Sequence, residues 1–185
     1  FLNQRKIKLK ELAHQLSNER IKNIPLMEKL INNYLRNMDM NNVNFHIKNH
    51  QLEEPTLLGI DNIEFYISTN KGEDLKPLIN VISGGELSRL MIAIKLSLNN
   101  IESANTLIFD EVDSGISGMT AEKVGREILK LSSRYQILCI SHLSQISSKG
   151  KNHFQVSKEE IGDRTKVKVE RLSLEDRKYE IAKLL

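Results

Sequence analysis

Three short segments carry residue types that together can act on phosphate: Ser83-Gly84-Gly85-Glu86, then Asp110-Glu111 behind the apolar run Thr106 to Phe109, then Ser141-His142 behind Ile137 to Ile140. An acid closing a buried strand is suited to hold Mg²⁺ through a water, because the ion keeps part of its hydration shell and takes one or two carboxylates plus phosphate oxygens. Asp110 has that place. Glu111 points differently from its neighbour and can orient or deprotonate an attacking water as a general base. The backbone N–H groups of Ser83, Gly84, Gly85 and Glu86, just ahead of a helix, can meet an anion such as a γ-phosphate. His142 can hydrogen-bond a phosphate or orient the water. Each has a blander reading, in which the acids cap the next turn, Ser-Gly-Gly is a turn with an N-cap, and His142 is a satisfied structural residue. Their company argues for chemistry, since ligands of an open parallel sheet gather at the carboxyl ends of its strands.

The main phosphate cradle is missing. No G-x-x-x-x-G-K-[ST] run occurs in the sequence, so that loop must come from other polypeptide. The chain by itself is therefore expected to show little or no nucleotide hydrolysis. Phe1 in place of a methionine, followed by Arg5, Lys6, Lys8 and Lys10 with no signal-peptide apolar region, points to a segment of something longer.

The elements that position these residues are legible in the apolar periodicity. Leu9, Leu12 and Leu16, then Ile24, Met27 and Ile31, predict a long amphipathic helix, with a kink or break near Pro25. Whether this is a coiled-coil stub or an ordinary surface helix the periodicity leaves open, since the spacing holds for only about two heptads. Val43 to Ile47 and Ile63 to Ile67 alternate as short, peripheral antiparallel strands, and Ser68 to Gly72 is rich in turn residues. A largely buried helix follows Glu86. Thr106 to Phe109 and Ile137 to Ile140 are then joined by a helix over about Thr120 to Leu131, as in a right-handed crossover between parallel strands. Neither strand alternates with polar residues, which predicts a sheet covered on both faces. A strand pair at Phe154 to Val156 and Lys166 to Leu172, turning at Ile161-Gly162-Asp163, and a helix from Leu174 complete an α/β fold.

Composition narrows the class. With 185 residues, 39% of them hydrophobic, the chain can bury a core, and no apolar run approaches the length of a membrane span. One cysteine, Cys139, inside an apolar run, excludes a disulfide framework and fits a reducing cytoplasm. A net charge of +3 does not by itself indicate nucleic acid, and Arg164, Lys166 and Lys168 read as a solvated strand face. His14, His46, His50 and His153 have no chemical company and read as surface residues.

The order of Ser83 to Arg89, Phe109 to Gly118 and Ser141 to Ile146 resembles the carboxyl-terminal half of an ATP-binding-cassette head, in the branch of SMC-like chromosome and repair ATPases. Within that branch these strings, and the ending Glu180 to Leu185, look like the RecN family of bacterial DNA repair proteins. The resemblance implies that residues 1–40 are the end of a coiled-coil arm and 41–185 the carboxyl-terminal half of the head. It implies that Ser83 to Glu86 is the signature loop contacting ATP on an opposite head, that Asp110 and Glu111 are the Walker B acids, and that His142 is the switch histidine. It further implies ATP and Mg²⁺ as cofactors, an amino-terminal half carrying Walker A, a head-to-head homodimer, DNA as a partner, and a cytoplasmic, nucleoid-associated role in double-strand break repair. Two positions depart from the pattern: Ile82 stands where many transporters have Leu, and Ser117 where many cassettes place a D-loop aspartate.

Two other readings compete. One is a non-catalytic dimerisation or DNA-binding module. The other is a metal-dependent hydrolase built from Asp110, Glu111, Asp113 and His142.

Overall fold

A computed structural model describes residues 1–80, 83–98, 105–161 and 164–184, so Ile82, the Gly162-Asp163 turn and Leu185 lie outside the described residues. Two compact units are present: Phe1–Ser83 with Leu90–Ile101, and Gly84–Arg89 with Glu102–Leu185.

The first unit is built on α1 (Leu2–Asn37) and a long hairpin of β1 (Asn44–Thr56) and β2 (Gly59–Ser68). The helix is not broken at Pro25, which lies inside it. Proline removes one backbone donor and leaves the carbonyl of Ile21 without its helical partner; both residues are exposed, where water can satisfy that oxygen. Leu9, Leu12 and Leu16 are 53%, 51% and 44% exposed, while Ala13 and Ser17 face inward. The amino-terminal apolar stripe is thus uncovered, whereas Ile31 and Leu35 are fully buried near the other end. The hairpin is longer than the two short strands expected, pairing from Asn44↔Ser68 to Gln51↔Asp61 and closing at Thr56↔Gly59. Phe45 and Phe65 pack with ring centroids 5.3 Å apart. A two-residue strand β3 (Lys76–Pro77) adds to β2 before a short 3₁₀ turn, Leu78–Asn80.

Side chains of α1 satisfy the edge of this sheet. Asn32 Nδ2 donates to Phe45 O at 2.8 Å while its Oδ1 accepts from Phe45 N at 2.9 Å, and Glu28 Oε1 accepts from Ile47 N at 2.7 Å. Glu28 also lies 3.3 Å from His46 Nδ1, so His46 is half-buried at this junction and not a plain surface residue. Nearer the hairpin tip, the buried carboxylate of Asp61 accepts from Ser17 Oγ at 2.6 Å, Asn49 Nδ2 at 2.8 Å and Arg20 Nη1 at 2.9 Å. Burial acts to raise the Asp61 pKa, but the hydrogen bonds from Ser17, Asn49 and Arg20 and the charge of Arg20 outweigh it, and the net shift is downward.

In the second unit, β4 (Thr106–Phe109) and β5 (Gln136–Cys139) pair in parallel, joined by α3 (Gly118–Leu131) as the apolar runs predict. The helix buries Ala121, Val124, Ile128 and Leu131. The expectation of a sheet covered on both faces needs correction. Leu107 and Phe109 are buried, but Ile108, Leu138 and Ile140 are 67%, 47% and 59% exposed. Both faces are apolar, as the lack of polar alternation requires, and only one is covered. After the short helix α4 (Ser144–Ser147) come the hairpin β6 (Phe154–Ile161) and β7 (Arg164–Arg171) and the last helix α5 (Leu174–Lys183). Every residue of β7 is exposed, in line with the solvated face read from Arg164, Lys166 and Lys168, and Lys168 pairs with Glu170 at 2.8 Å. His153 is half-buried, with its Nδ1 enclosed and without a hydrogen-bond partner, so it too departs from the surface reading. No helix among the described residues is long and apolar enough to cross a membrane.

Removing the Asp61 carboxylate strands three donors, and Asp61→Ala is expected to lower the unfolding free energy by about 2 to 3 kcal/mol. Because the folded-state pKa lies below the unfolded one, this stabilisation is complete above about pH 4 and fades as pH falls further. Urea unfolding at a series of pH values should show the gap between wild type and Asp61→Asn narrowing on acidification; a gap independent of pH would exclude this role for the carboxylate.

Candidate functional site

The ladder between β4 and β5 runs in register from Thr106↔Gln136 to Phe109↔Cys139, and Ile140 N extends it by donating to Phe109 O at 2.9 Å. Parallel, in-register strands end at the same edge. Asp110 and Glu111 leave β4, and Ser141 and His142 leave the extended β5, at that common edge. Asp110 and Glu111 are exposed, and the Asp110 carboxylate accepts from the N–H of Glu111 at 2.9 Å. Glu111 has φ +56°, a left-handed conformation that costs a non-glycine residue about 1 kcal/mol or more. It turns the chain sharply out of the strand into the loop 111–115.

Helix α2 (Gly84–Ser97) brings its amino-terminal turn against this loop. Ser88 Oγ donates to Asp110 O at 2.7 Å, and Arg89 Nη1 donates to Val112 O at 3.0 Å and Ser114 O at 3.1 Å. Arg89 is 5% exposed; burial lowers its pKa, opposed by the negative charges of Glu86 and Asp113. The approach is close enough to require glycine at 85, where the neighbours are backbone, while at 84 the neighbour is the end of a flexible side chain. A Cβ on Gly85 would stand 2.9 Å from Glu111 O and 2.9 Å from Ser114 Cβ, and one on Gly84 would stand 2.5 Å from Glu111 Oε2. Gly84, Gly85 and Glu86 are thereby gathered beside Glu111, while Ser83 directly precedes them in the chain and falls in the first unit.

Asp113, which the sequence offers as a ligand only in the metal-hydrolase reading, is the most enclosed acid of this edge. Its side chain is 3% exposed, and Oδ2 accepts from Ser141 Oγ at 2.5 Å and from His142 N at 2.8 Å, with His142 Nδ1 at 3.2 Å. The signal in the sequence was slight: an acid inside a Gly- and Ser-rich turn reads as solvated. Ser117, at the D-loop aspartate position, is the N-cap of α3, its Oγ accepting from Thr120 N at 3.5 Å. Cys139 has its thiol pKa pushed up to about 12, by burial first and then by Asp113 and Asp110, which makes it an inert packing residue.

The donor set discriminates between chemistries. Among the described residues no group of three or more His, Cys, Asp or Glu side chains could hold a metal ion by themselves. A single exposed carboxylate, Asp110, fits an ion that draws its remaining ligands from water and phosphate.

Comparisons with known proteins show the family and the fold. Residues 1–165 match the family described as RecF/RecN/SMC N terminal domain. DNA repair protein RecN of Halalkalibacterium halodurans is 40% identical over 159 residues, covering 84% of this chain and 28% of that protein. The Smc head domain with a coiled coil and joint from Pyrococcus yayanosii superposes with TM-score 0.65 at 20% identity, over 94% of this chain and 32% of that one. A structure described as concerning ATP-driven dimerization and DNA stimulated activation of SMC ATPases superposes with TM-score 0.54 at 19% identity, over 90% of this chain and 96% of that one. The chain thus spans under a third of the length of its RecN relative.

Because a Gly85 side chain would meet backbone, and a Gly84 side chain only the end of a flexible glutamate, Gly85→Ala is expected to cost about 1 to 3 kcal/mol and Gly84→Ala clearly less. Chemical unfolding of the two variants in parallel checks the order, and equal losses would contradict the close packing of the loop.

Proposed function

The chain belongs to the RecF/RecN/SMC N terminal domain family, and from that premise we propose that it is the carboxyl-terminal half of the ATPase head of a DNA repair protein, supplying half of an ATP hydrolysis site. The observation that carries the reading is the shared carboxyl edge of β4 and β5, which brings Asp110, Glu111 and His142 to one end of the sheet beside the amino terminus of α2.

Asp110 would hold Mg²⁺ through water, and the ion would neutralise charge on the phosphates. Glu111 orients the attacking water and takes its proton. His142 presents its ring to the same edge. The turn at Ser83, Gly84, Gly85 and Glu86 serves the nucleotide of an opposite head, where free N–H groups and the positive helix end favour an anion. That assignment implies a head-to-head homodimer with ATP between the heads, supported by the likeness to a structure concerned with ATP-driven dimerization of SMC ATPases.

The partner most directly called for is the amino-terminal half of the same protein, with its Walker A loop. The uncovered apolar face at Ile108, Leu138 and Ile140 supports this, since each such side chain gains about 1.5 to 3 kcal/mol on full burial. Residues 1–40 form the returning end of a coiled-coil arm and 41–185 the half-head; the exposed Leu9, Leu12 and Leu16 offer the seam for the outgoing helix. The likeness to a DNA repair protein supports action on DNA in repair, and a cytoplasmic, nucleoid-associated role in double-strand breaks is part of the same proposal and needs the rest of the protein.

In the full-length protein, Glu111→Gln should bind ATP with little change in affinity and lower turnover by about 10² to 10⁴. Nucleotide binding and steady-state phosphate release measured on the same preparation separate the two effects; unchanged turnover would remove Glu111 from its role. DNA binding by this chain that falls with salt but survives loss of Ser83, Asp110 and Glu111 would instead favour a non-catalytic module.

A further inference from the structure

We propose that Asp113 is the positioning residue for His142, holding the ring by Nδ1 so that Nε2 is the atom offered to nucleotide or water. The proposal rests on the reading of His142 given above and adds to it a specific partner and a specific ring nitrogen.

Three features carry it. First, Asp113 is placed rigidly. The carbonyls on either side of it, Val112 O and Ser114 O, are both tied to the buried guanidinium of Arg89, so the carboxylate cannot swing away with its loop. Second, one oxygen of the carboxylate, Oδ2, holds the segment that carries the histidine. Oδ2 accepts from Ser141 Oγ and from the backbone N–H of His142, and Ser141 Oγ in turn accepts from Leu143 N at 3.1 Å, so the backbone on both sides of the ring is fixed. Third, Nδ1 of His142 lies 3.2 Å from the same oxygen although the side chain is 73% exposed. A ring that free to turn gains nothing by packing there, whereas a carboxylate attracts an N–H.

An ionised carboxylate has no proton to give, so the nitrogen facing it must carry one. Nδ1 is then the protonated nitrogen of the neutral ring, and Nε2, on the far side and toward solvent, has a free lone pair. This is the orienting task a carboxylate performs for a histidine wherever the choice of ring nitrogen matters. The buried charge is balanced by Arg89, whose own ionisation Asp113 favours.

The test has two arms. In this chain, ¹⁵N-labelled at histidine and held at a pH where the ring is neutral, long-range ¹H–¹⁵N correlation should show His142 protonated at Nδ1, the signal being assigned by its loss in His142→Gln. Asp113→Asn, which keeps the shape and an acceptor for Ser141, should move the proton wholly or partly to Nε2. In the full-length protein, Asp113→Asn should lower kcat for ATP by about 10- to 100-fold with KM changed less than about twofold, while Asp113→Glu, with the charge displaced by one methylene, should recover part of the loss. Wild-type His142 protonated at Nε2, or Asp113→Asn turning over at the wild-type rate while His142→Gln is inactive, would overturn the proposal. Undiminished turnover by His142→Gln would instead defeat the role given to the histidine, whatever tautomer is found. Should Asp113→Asn fold poorly, the wild-type tautomer alone decides.

Discussion

The parallel ladder of β4 and β5 is the constraint from which the rest of the site follows. Four residues on each strand, paired in register, bring two acids and a histidine to one edge from positions about thirty residues apart in sequence. Only a crossover of the length of α3 and its connecting turns can join parallel neighbours, so the Asp113 to Gly118 turn has to leave the site just where the chemistry begins. Its residues therefore have to shape the edge as well as the turn. Glu111 accepts a left-handed backbone to start the turn, Arg89 ties its carbonyls, and Ser117 ends it by capping α3.

Each unit also turns on one buried aspartate. Asp61 gathers Ser17, Arg20 and Asn49, fastening α1 to the hairpin, and Asp113 gathers Ser141 and His142, fastening one strand end to the next. A buried carboxylate is unfavourable without donors and directional with them, so it specifies which groups meet in a way that Leu or Ile packing does not. In the first unit that specificity sets where α1 lies along the sheet. In the second it sets how the Ser141-His142 segment stands at the strand ends.

Much of this was legible from residue pattern. Thr106 to Phe109, Ile137 to Ile140 and the helix between them declare themselves because a continuous apolar run bounded by acids or by Ser-His has few other solutions. What pattern concealed was tertiary. Pro25 reads as a break, yet an exposed helix can hydrate the one carbonyl it orphans. Unalternating strands read as covered on both faces, and no second cover lies among the described residues, so Ile108, Leu138 and Ile140 stand exposed. His46 and His153 read as surface residues because nothing in their sequence neighbourhoods reveals Glu28 or the enclosure of Nδ1. Asp113 is the most instructive case, because its donors lie nearly thirty residues downstream and only the ladder brings them near.

The central claim is that this chain holds one half of an ATP site and is completed by polypeptide bearing a G-x-x-x-x-G-K-[ST] loop. It is tested most directly by mixing the purified chain with the separately produced amino-terminal segment of the same protein and following phosphate release from ATP. The account predicts negligible turnover by either part alone and turnover in the mixture that saturates as the two approach equal amounts. Sustained hydrolysis by this chain alone, or none by a mixture shown to form a complex, would contradict it.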